Sequence, residues 1–325
     1  MNYRSYSDLS NLIKNKIPMF QSKNFDLIVG VPRSGMIPAY IIALHLNKKC
    51  CDVETLINNY PLKTGSTRNA KNDIKYPSQA INILLVDDSI CRGTSLANEL
   101  SKIPAELKVK ITTLAIYSSE RERSDVNLYL EYLPMPRVFE WNIFHHNVLE
   151  RSCFDIDGVL CIDPSEEQND DGEKYIEFIK NAPSLFLPTG RINCLVTSRL
   201  EKYRPETENW LKKNGIKYNS LIMLDLPSKE ERQRLGAHAT HKAEAYKKLG
   251  LDLFYESERN QAIKIHELTK KPVYCVDTNE MFTKGSIYSA IYGSSGVRKS
   301  AIFNMIKTLP IPLYKSLRFF YRLIK

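Results

Sequence analysis

Ile83-Leu84-Leu85-Val86-Asp87-Asp88-Ser89-Ile90-Cys91-Arg92-Gly93-Thr94-Ser95 decides the fold of the first half of the chain. Four consecutive aliphatics without polar alternation describe a strand buried on both faces, ending at Val86 with an aspartate pair at its end. The small-residue turn Gly93-Thr94-Ser95 then opens a helical pattern from Leu96 to Ser101. Strands followed by helices in this way build parallel sheets, whose ligands bind beyond the carboxyl ends of the strands. Placed there, Asp87 and Asp88 can accept hydrogen bonds from the 2- and 3-hydroxyls of a ribose. The amides at the helix start, with the hydroxyls of Thr94 and Ser95, can wrap a terminal phosphate.

Further along, Cys153-Phe154-Asp155-Ile156-Asp157-Gly158-Val159 carries a second pair of carboxylates after an apolar strand. Two residues apart on an extended chain, they share one side. One can attack phosphorus while the other protonates the leaving oxygen, with Mg²⁺ neutralising the phosphate between them. Other apolar runs alternate with helical patterns at Leu27–Val29, Ile111–Ile116, Cys194–Val196, Leu221–Leu224, Leu253–Tyr255 and Val273–Val276. At 325 residues, two domains of roughly 140 residues each are the default. The pattern breaks at Pro134 and Pro136, which puts the boundary between Pro136 and Arg151. The expected division is α/β throughout: a parallel-sheet domain over 1–147, a second over 148–285, and a tail over 286–325.

Charge and cysteine usage exclude several classes. The net charge is +9, but after Glu280 eight lysines and arginines meet no acidic residue, so the basicity belongs to the tail and the body is close to neutral. A general nucleic-acid surface is therefore not expected. Seven cysteines show no Cys-x-x-Cys spacing, which speaks for reduced, mostly buried thiols and against a zinc site. No run of about 18 apolar residues offers a transmembrane helix, and Met1 to Ser10 carries no apolar signal core. A cytoplasmic protein is the expectation.

The order of aliphatics, Asp87-Asp88 and Gly93-Thr94-Ser95 resembles the phosphoribosyl-pyrophosphate loop of type I phosphoribosyltransferases. Upstream, Ile28-Val29-Gly30-Val31-Pro32-Arg33-Ser34-Gly35-Met36-Ile37-Pro38 is similar to that family's pyrophosphate-binding turn. The resemblance implies that Asp87, Asp88, Ser89, Arg92, Gly93, Thr94 and Ser95 bind phosphoribosyl pyrophosphate. It also implies that Arg33 faces the leaving pyrophosphate while the amides of Ser34 and Gly35 hold its oxygens. The polar segment Asn58 to Pro77, with Lys63, Arg68, Lys71 and Lys75, resembles the family's mobile lid. Arg92 departs from the family, which usually has threonine before the glycine, and adds a cation beside the sugar phosphate. No signature of a purine, uracil or orotate acceptor is present.

The second aspartate pair resembles the first motif of haloacid-dehalogenase-type (HAD) phosphatases, and three partners follow in order. Leu195-Val196-Thr197-Ser198-Arg199 resembles the second motif, His241-Lys242-Ala243-Glu244-Ala245-Tyr246 the third, with the lysine at a helix start, and Leu253-Phe254-Tyr255-Glu256-Ser257-Glu258 the fourth. The resemblance implies Asp155 as nucleophile, Asp157 as general acid and base, Thr197 on the phosphoryl group and Lys242 as a screening cation. It further implies Mg²⁺ bound by Asp155, Asp157 and Glu256. The fourth motif departs from the family's Asp-Asp or Gly-Asp form. Neither gap between motifs has room for a folded cap of about 60 residues, a feature that family members acting on large substrates share.

In the tail, Tyr314 to Lys325 alternates cations with aromatics and aliphatics, and at helical spacing Leu313, Leu317, Phe320 and Ile324 share a face. Such a segment suits the surface of an anionic membrane or a helix docked on the body or a subunit equally, and single-stranded RNA less, so no nucleic-acid partner is expected. The paired resemblances are similar to the transferase–phosphatase pairs that install ribofuranose in bacterial surface polysaccharides. That implies phosphoribosyl pyrophosphate as donor, a lipid-linked oligosaccharide as acceptor, and peripheral contact with the inner face of the cytoplasmic membrane. By analogy it also implies a homodimer. Two alternatives stay open: nucleobase salvage with a nucleotidase domain, and a non-catalytic sensor of phosphoribosyl pyrophosphate.

Overall fold

The first aliphatic strand does not stop at Val86. In the structure, a computed structural model of the chain in which residues 1–65 and 73–283 are described, it runs on to Ile90. The chain divides into two compact units, Met1–Val148 and a second beginning at Leu149. Of the expected lid, Arg68 and Lys71 lie outside the described residues, as does the whole tail 286–325.

The first unit contains β1 (Asn2–Arg4), α1 (Tyr6–Lys23), β2 (Leu27–Gly30), α2 (Met36–Leu46), β3 (Lys49–Asp52) and α3 (Val53–Ile57). It continues with β4 (Ile83–Ile90), α4 (Thr94–Lys102), α5 (Ala105–Lys108), β5 (Ile111–Ser118), β6 (Leu128–Tyr132) and β7 (Arg137–Phe139). Five strands form a parallel sheet in the order β3-β2-β4-β5-β6, and β1 pairs with β7 in a separate parallel ribbon. The aliphatic runs split by period two between two cores. Ile28, Leu84, Val86, Leu114 and Ile116 pack with α1 and α2, whereas Leu27, Val29, Ile83, Leu85 and Ala115 pack with Leu96 of α4 on the other face. Burial on both faces is why these strands read as unbroken apolar runs. Each buried Leu or Ile stabilises the fold by about 1.5–3 kcal/mol.

Register explains the extra length of β4. Its pairing with β2 ends at Gly30–Val86, but its pairing with β5 continues from Asp87–Ala115 to Ile90–Ser118. The aspartates thus stand within a strand that has lost one neighbour. Chain order runs from β2 outward to β3 and back to β4 on the opposite side, so the crevice between β2 and β4 is the switch point of the sheet.

The second unit contains β8 (Ser152–Phe154), α6 (Glu173–Asn181), β9 (Ile192–Leu200), α7 (Arg204–Lys213), β10 (Tyr218–Leu224) and α8 (Lys229–Leu235). It ends with α9 (Ala237–Leu249), β11 (Leu253–Glu256), α10 (Arg259–Thr269), β12 (Val273–Cys275) and β13 (Glu280–Phe282). The sheet order is β10-β9-β8-β11-β12-β13, parallel except for the antiparallel edge pair β12–β13. Cys153, Cys194, Val196, Phe254 and Val273 bury one sheet face against Ala243 and Tyr246 of α9 and Ala262 and Ile265 of α10. By the same rule the switch point here lies between β8 and β11. Among the described residues no helix is long and apolar enough to cross a membrane.

Candidate active sites

In the first unit, the turn after β2 and the segment after β4 meet across the switch point. Gly35 makes this approach possible: a Cβ there would lie 2.7 Å from the carbonyl oxygens of both Val31 and Val86 and 3.1 Å from Cα of Asp87. Ser34 Oγ then donates to Asp88 Oδ1 at 2.9 Å. Asp88 Oδ2 accepts from Trp141 Nε1 at 2.7 Å, and the Asp88 amide donates to Asp87 Oδ1 at 2.9 Å. Each Asp88 oxygen thus accepts one hydrogen bond from the protein, and since a carboxylate oxygen can accept a second, both aspartates retain acceptor sites. Trp141 itself stacks on Phe139, with ring centroids 4.7 Å apart.

Beyond the pair, Asp87, Ser89, Arg92, Gly93, Thr94 and Ser95 line one cavity of about 350 Å³. Gly93 caps α4 with φ of 77°, a left-handed conformation that turns the chain sharply into the helix and leaves its first amides facing the cavity. Arg92, Thr94 and Ser95 are exposed there, as is Arg33 on the opposing turn. The described part of the expected lid is stitched at its base. Leu62 N donates to Lys75 O at 2.8 Å, and buried Lys49 reaches Leu62 O at 3.3 Å and Asp73 at 3.4 Å.

Burial, reinforced by the Asp88 charge, pushes the Asp87 carboxyl up to about 8. The unfolded carboxyl ionises near 3.8, so between that pH and about 8 the folded state holds the extra proton. Rising pH then favours unfolding, and above about 8 the full penalty is present. Asp87→Asn, which keeps the acceptor for the Asp88 amide, is expected to raise the melting temperature of the first unit by about 5 °C at pH 9. At pH 4 the difference should vanish, and thermal melts at the two pH values check it.

In the second unit, the ends of β8, β9 and β11 lie side by side and bring the four expected segments together. Lys242 Nζ is 2.6 Å from Asp155 Oδ2, 2.7 Å from Glu256 Oε2 and 3.2 Å from Gln261 Oε1. Lysine and both carboxylates are buried. Burial opposes the ammonium charge, but Asp155 and Glu256 outweigh it and hold the Lys242 pKa above its ordinary value. Burial raises Asp155 and lifts Glu256 to about 7. Asp155, Asp157, Thr197, Lys242 and Glu256 all line one cavity of about 310 Å³. A wider groove of about 730 Å³ beside α6, lined by Ile162, Lys174 and Phe178, holds none of them.

Two placements differ from the sequence reading. Lys242 sits well inside α9 rather than at its start, because Ala237 to Thr240 is helical without an apolar period to reveal it. Asp157 does not face the cavity freely: Arg199, fully buried, donates to it from Nη2 at 2.6 Å and from Nε at 3.1 Å. To protonate a leaving oxygen, Asp157 has to swing away from this guanidinium.

Carboxylate and carbonyl oxygens are the hard donors that Mg²⁺ takes, so the chemistry of Asp155, Asp157 and Glu256 fits the expected metal. Their oxygens are presently turned to Lys242, Arg199 and backbone amides. Among the described residues no three His, Cys, Asp or Glu side chains converge to hold a metal ion.

Sequence reasoning missed several groups. Trp141 lies 53 residues from Asp88, and nothing local marks it. Arg199 lies two residues after Thr197, on the same side of β9, a spacing that could have flagged it. Asp163, Asn169, Tyr175, Arg232 and His238 also line the second cavity. Burial raises Asp163 to about 6 and lowers His238 to about 4. Glu258, the last residue of the fourth segment, is exposed and lines the same cavity.

No protein-family model matches the chain, and neither does any curated protein. Among solved structures the chain is similar to the Helicobacter pylori xanthine-guanine-hypoxanthine phosphoribosyltransferase, at 19% identity over 44% of this chain and 93% of that one, TM-score 0.32. It is also similar to a purine phosphoribosyltransferase from Pyrococcus horikoshii Ot3 (18%, over 43% and 92%, TM-score 0.31). A third is the orotate phosphoribosyltransferase from Aeropyrum pernix (18%, over 39% and 71%, TM-score 0.26).

Proposed function

We propose that the chain is a two-step enzyme that transfers ribose 5-phosphate from phosphoribosyl pyrophosphate to an acceptor and then hydrolyses the 5-phosphate. For the first step, the bond from C1 to pyrophosphate breaks and a bond from C1 to the acceptor oxygen forms, with loss of the acceptor proton. Asp87 and Asp88 together take the ribose hydroxyls. The amides of Gly93 to Ser95 with the Thr94 and Ser95 hydroxyls take the 5-phosphate, and Arg33, Ser34 and Gly35 take the pyrophosphate. What supports this most directly is the Ser34–Asp88 hydrogen bond, which ties the two turns across the switch point of one sheet.

In the second step Asp155 attacks phosphorus and the bond from phosphorus to the ribose oxygen breaks. Asp157, swung from Arg199, gives that oxygen a proton. Asp157 then takes a proton from the water that frees phosphate from Asp155. Thr197 hydrogen-bonds the phosphoryl oxygens, and Lys242 holds Asp155 in line. Mg²⁺ held by Asp155, Asp157 and Glu256 would neutralise phosphate charge.

The acceptor in this reading is a lipid-linked glycan of bacterial surface polysaccharide synthesis, supported by the pairing of the two motif sets on one chain and by the absence of a cap between the second unit's motifs. A second reading, a free nucleobase as acceptor, draws on the planar Trp141–Phe139 stack beside Asp88. One experiment separates them. The protein is incubated with phosphoribosyl pyrophosphate, Mg²⁺ and either extracted glycolipids or a panel of nucleobases, and pyrophosphate release and product mass are followed. Release that depends on glycolipid supports the first reading, release that depends on a base supports the second, and Asp88→Ala should lower either by at least about 100-fold. No release with any acceptor would sink the transferase assignment.

A further inference from the structure

The cavity of the second unit contains a cation that hydrolysis alone does not require. Arg232, on α8, keeps only 7% of its surface exposed. Its Nη1 donates to the Ser198 carbonyl at 2.9 Å, but its Nε has no hydrogen-bond partner among the described residues. Ser198 Oγ on the same wall is likewise buried without a partner. Both residues line the cavity that holds Asp155 and Thr197. Buried donors of this kind are costly to leave unanswered, more so on a charged group.

The charges around the cavity restrict what can answer them. Lys242 is closed in by Asp155 and Glu256, and Arg199 is spent on Asp157. Asp163, Glu258 and Asp277, which line the cavity elsewhere, repel anions. Among the described residues that line the cavity, Arg232 is thus the one guanidinium or ammonium not paired with a carboxylate, and a guanidinium pairs best with a planar or tetrahedral oxyanion.

We propose that Arg232 and Ser198 form a subsite for a second anionic group of the substrate, distinct from the phosphoryl group that faces Asp155. The preferred substrate is then a sugar phosphate carrying another phosphate, phosphodiester or carboxylate, which gives the acceptor side of the molecule a negative charge. The subsite rests on the second unit being a phosphohydrolase.

The test uses the full chain with Mg²⁺ and compares initial hydrolysis of the 5-phosphate from ribose 5-phosphate and from ribose 1,5-bisphosphate, followed as ribose and ribose 1-phosphate. The expected kcat/KM is at least about 10-fold higher for the bisphosphate, expressed mainly in KM. Arg232→Met brings the ratio near one, Arg232→Lys leaves it between, and Ser198→Ala, which keeps the carbonyl bound by Arg232, also lowers it. Equal use of the two substrates by the wild type overturns the subsite. So does an Arg232→Met variant that loses both activities in proportion, since Arg232 would then only brace the end of β9. Hydrolysis of neither substrate by the wild type is a separate result: it removes the phosphohydrolase reading, and the subsite with it.

Discussion

Asp155→Asn is expected to lower phosphate release by about 10⁴-fold or more, with the second unit still folded. The asparagine oxygen still accepts from the Ile156 amide, as Asp155 Oδ1 does at 2.8 Å, while its NH2 replaces the oxygen that Lys242 bonds at 2.6 Å, so the fold is weakened but kept. Lys242 also retains Glu256 at 2.7 Å. What disappears is a charged oxygen able to form the covalent phosphoaspartate, a role that a neutral amide does not perform. The first step is untouched, so incubation with donor and acceptor should accumulate a phosphoribosylated product. Mass spectrometry reads it as an added ribose with its phosphate, in place of the bare ribose left by the wild type. The same final product from variant and wild type would dismiss the sequential scheme.

Lys242→Met is expected to act on the fold instead. It leaves two buried carboxylates, Asp155 and Glu256, without the ammonium between them, at a cost of about 3–5 kcal/mol. Total domain stability is about 5–15 kcal/mol, so the second unit should unfold at a much lower denaturant midpoint. The companion test is Lys242→Met with Glu256→Leu, which removes a charge of each sign and should recover at least about half of the loss. If the single variant unfolds like the wild type, the three groups are more hydrated than their burial of 2% exposure or less for Lys242 and Glu256 indicates.

The sheets were legible where strands are buried on both faces. Ile83 to Val86 and Leu253 to Tyr255 carry unbroken apolar runs because each has a neighbour on either side and helices above and below. The two edge strands of the first sheet escaped. Lys49-Cys50-Cys51-Asp52 pairs only with β2, and Leu128 to Tyr132 only with β5, so polar residues are tolerated and the apolar signal fades. The limit at the sites has the same origin. Asp87, Asp155, Thr197 and Lys242 stand out because their neighbours in sequence form a pattern. Trp141 and Arg232 meet their partners only in space. In particular, Lys229-Glu230-Glu231-Arg232-Gln233-Arg234 reads as a solvated helix face, and only the fold turns Arg232 inward.

The distribution of indole rings has a practical consequence. The chain has two tryptophans, and each unit holds one. Trp141 is half-buried, with its Nε1 donating to Asp88 of the proposed ribose site. Trp210 is 2% exposed, with its Nε1 donating to the Ala182 carbonyl at 2.8 Å. Intrinsic fluorescence therefore carries two separable signals. Emission from Trp141 is expected to respond to a ligand at Asp88, while emission from Trp210 should shift only when the interior of the other unit opens to water. With Trp141→Phe or Trp210→Phe, donor binding and unfolding are followed one unit at a time, with no dye attached.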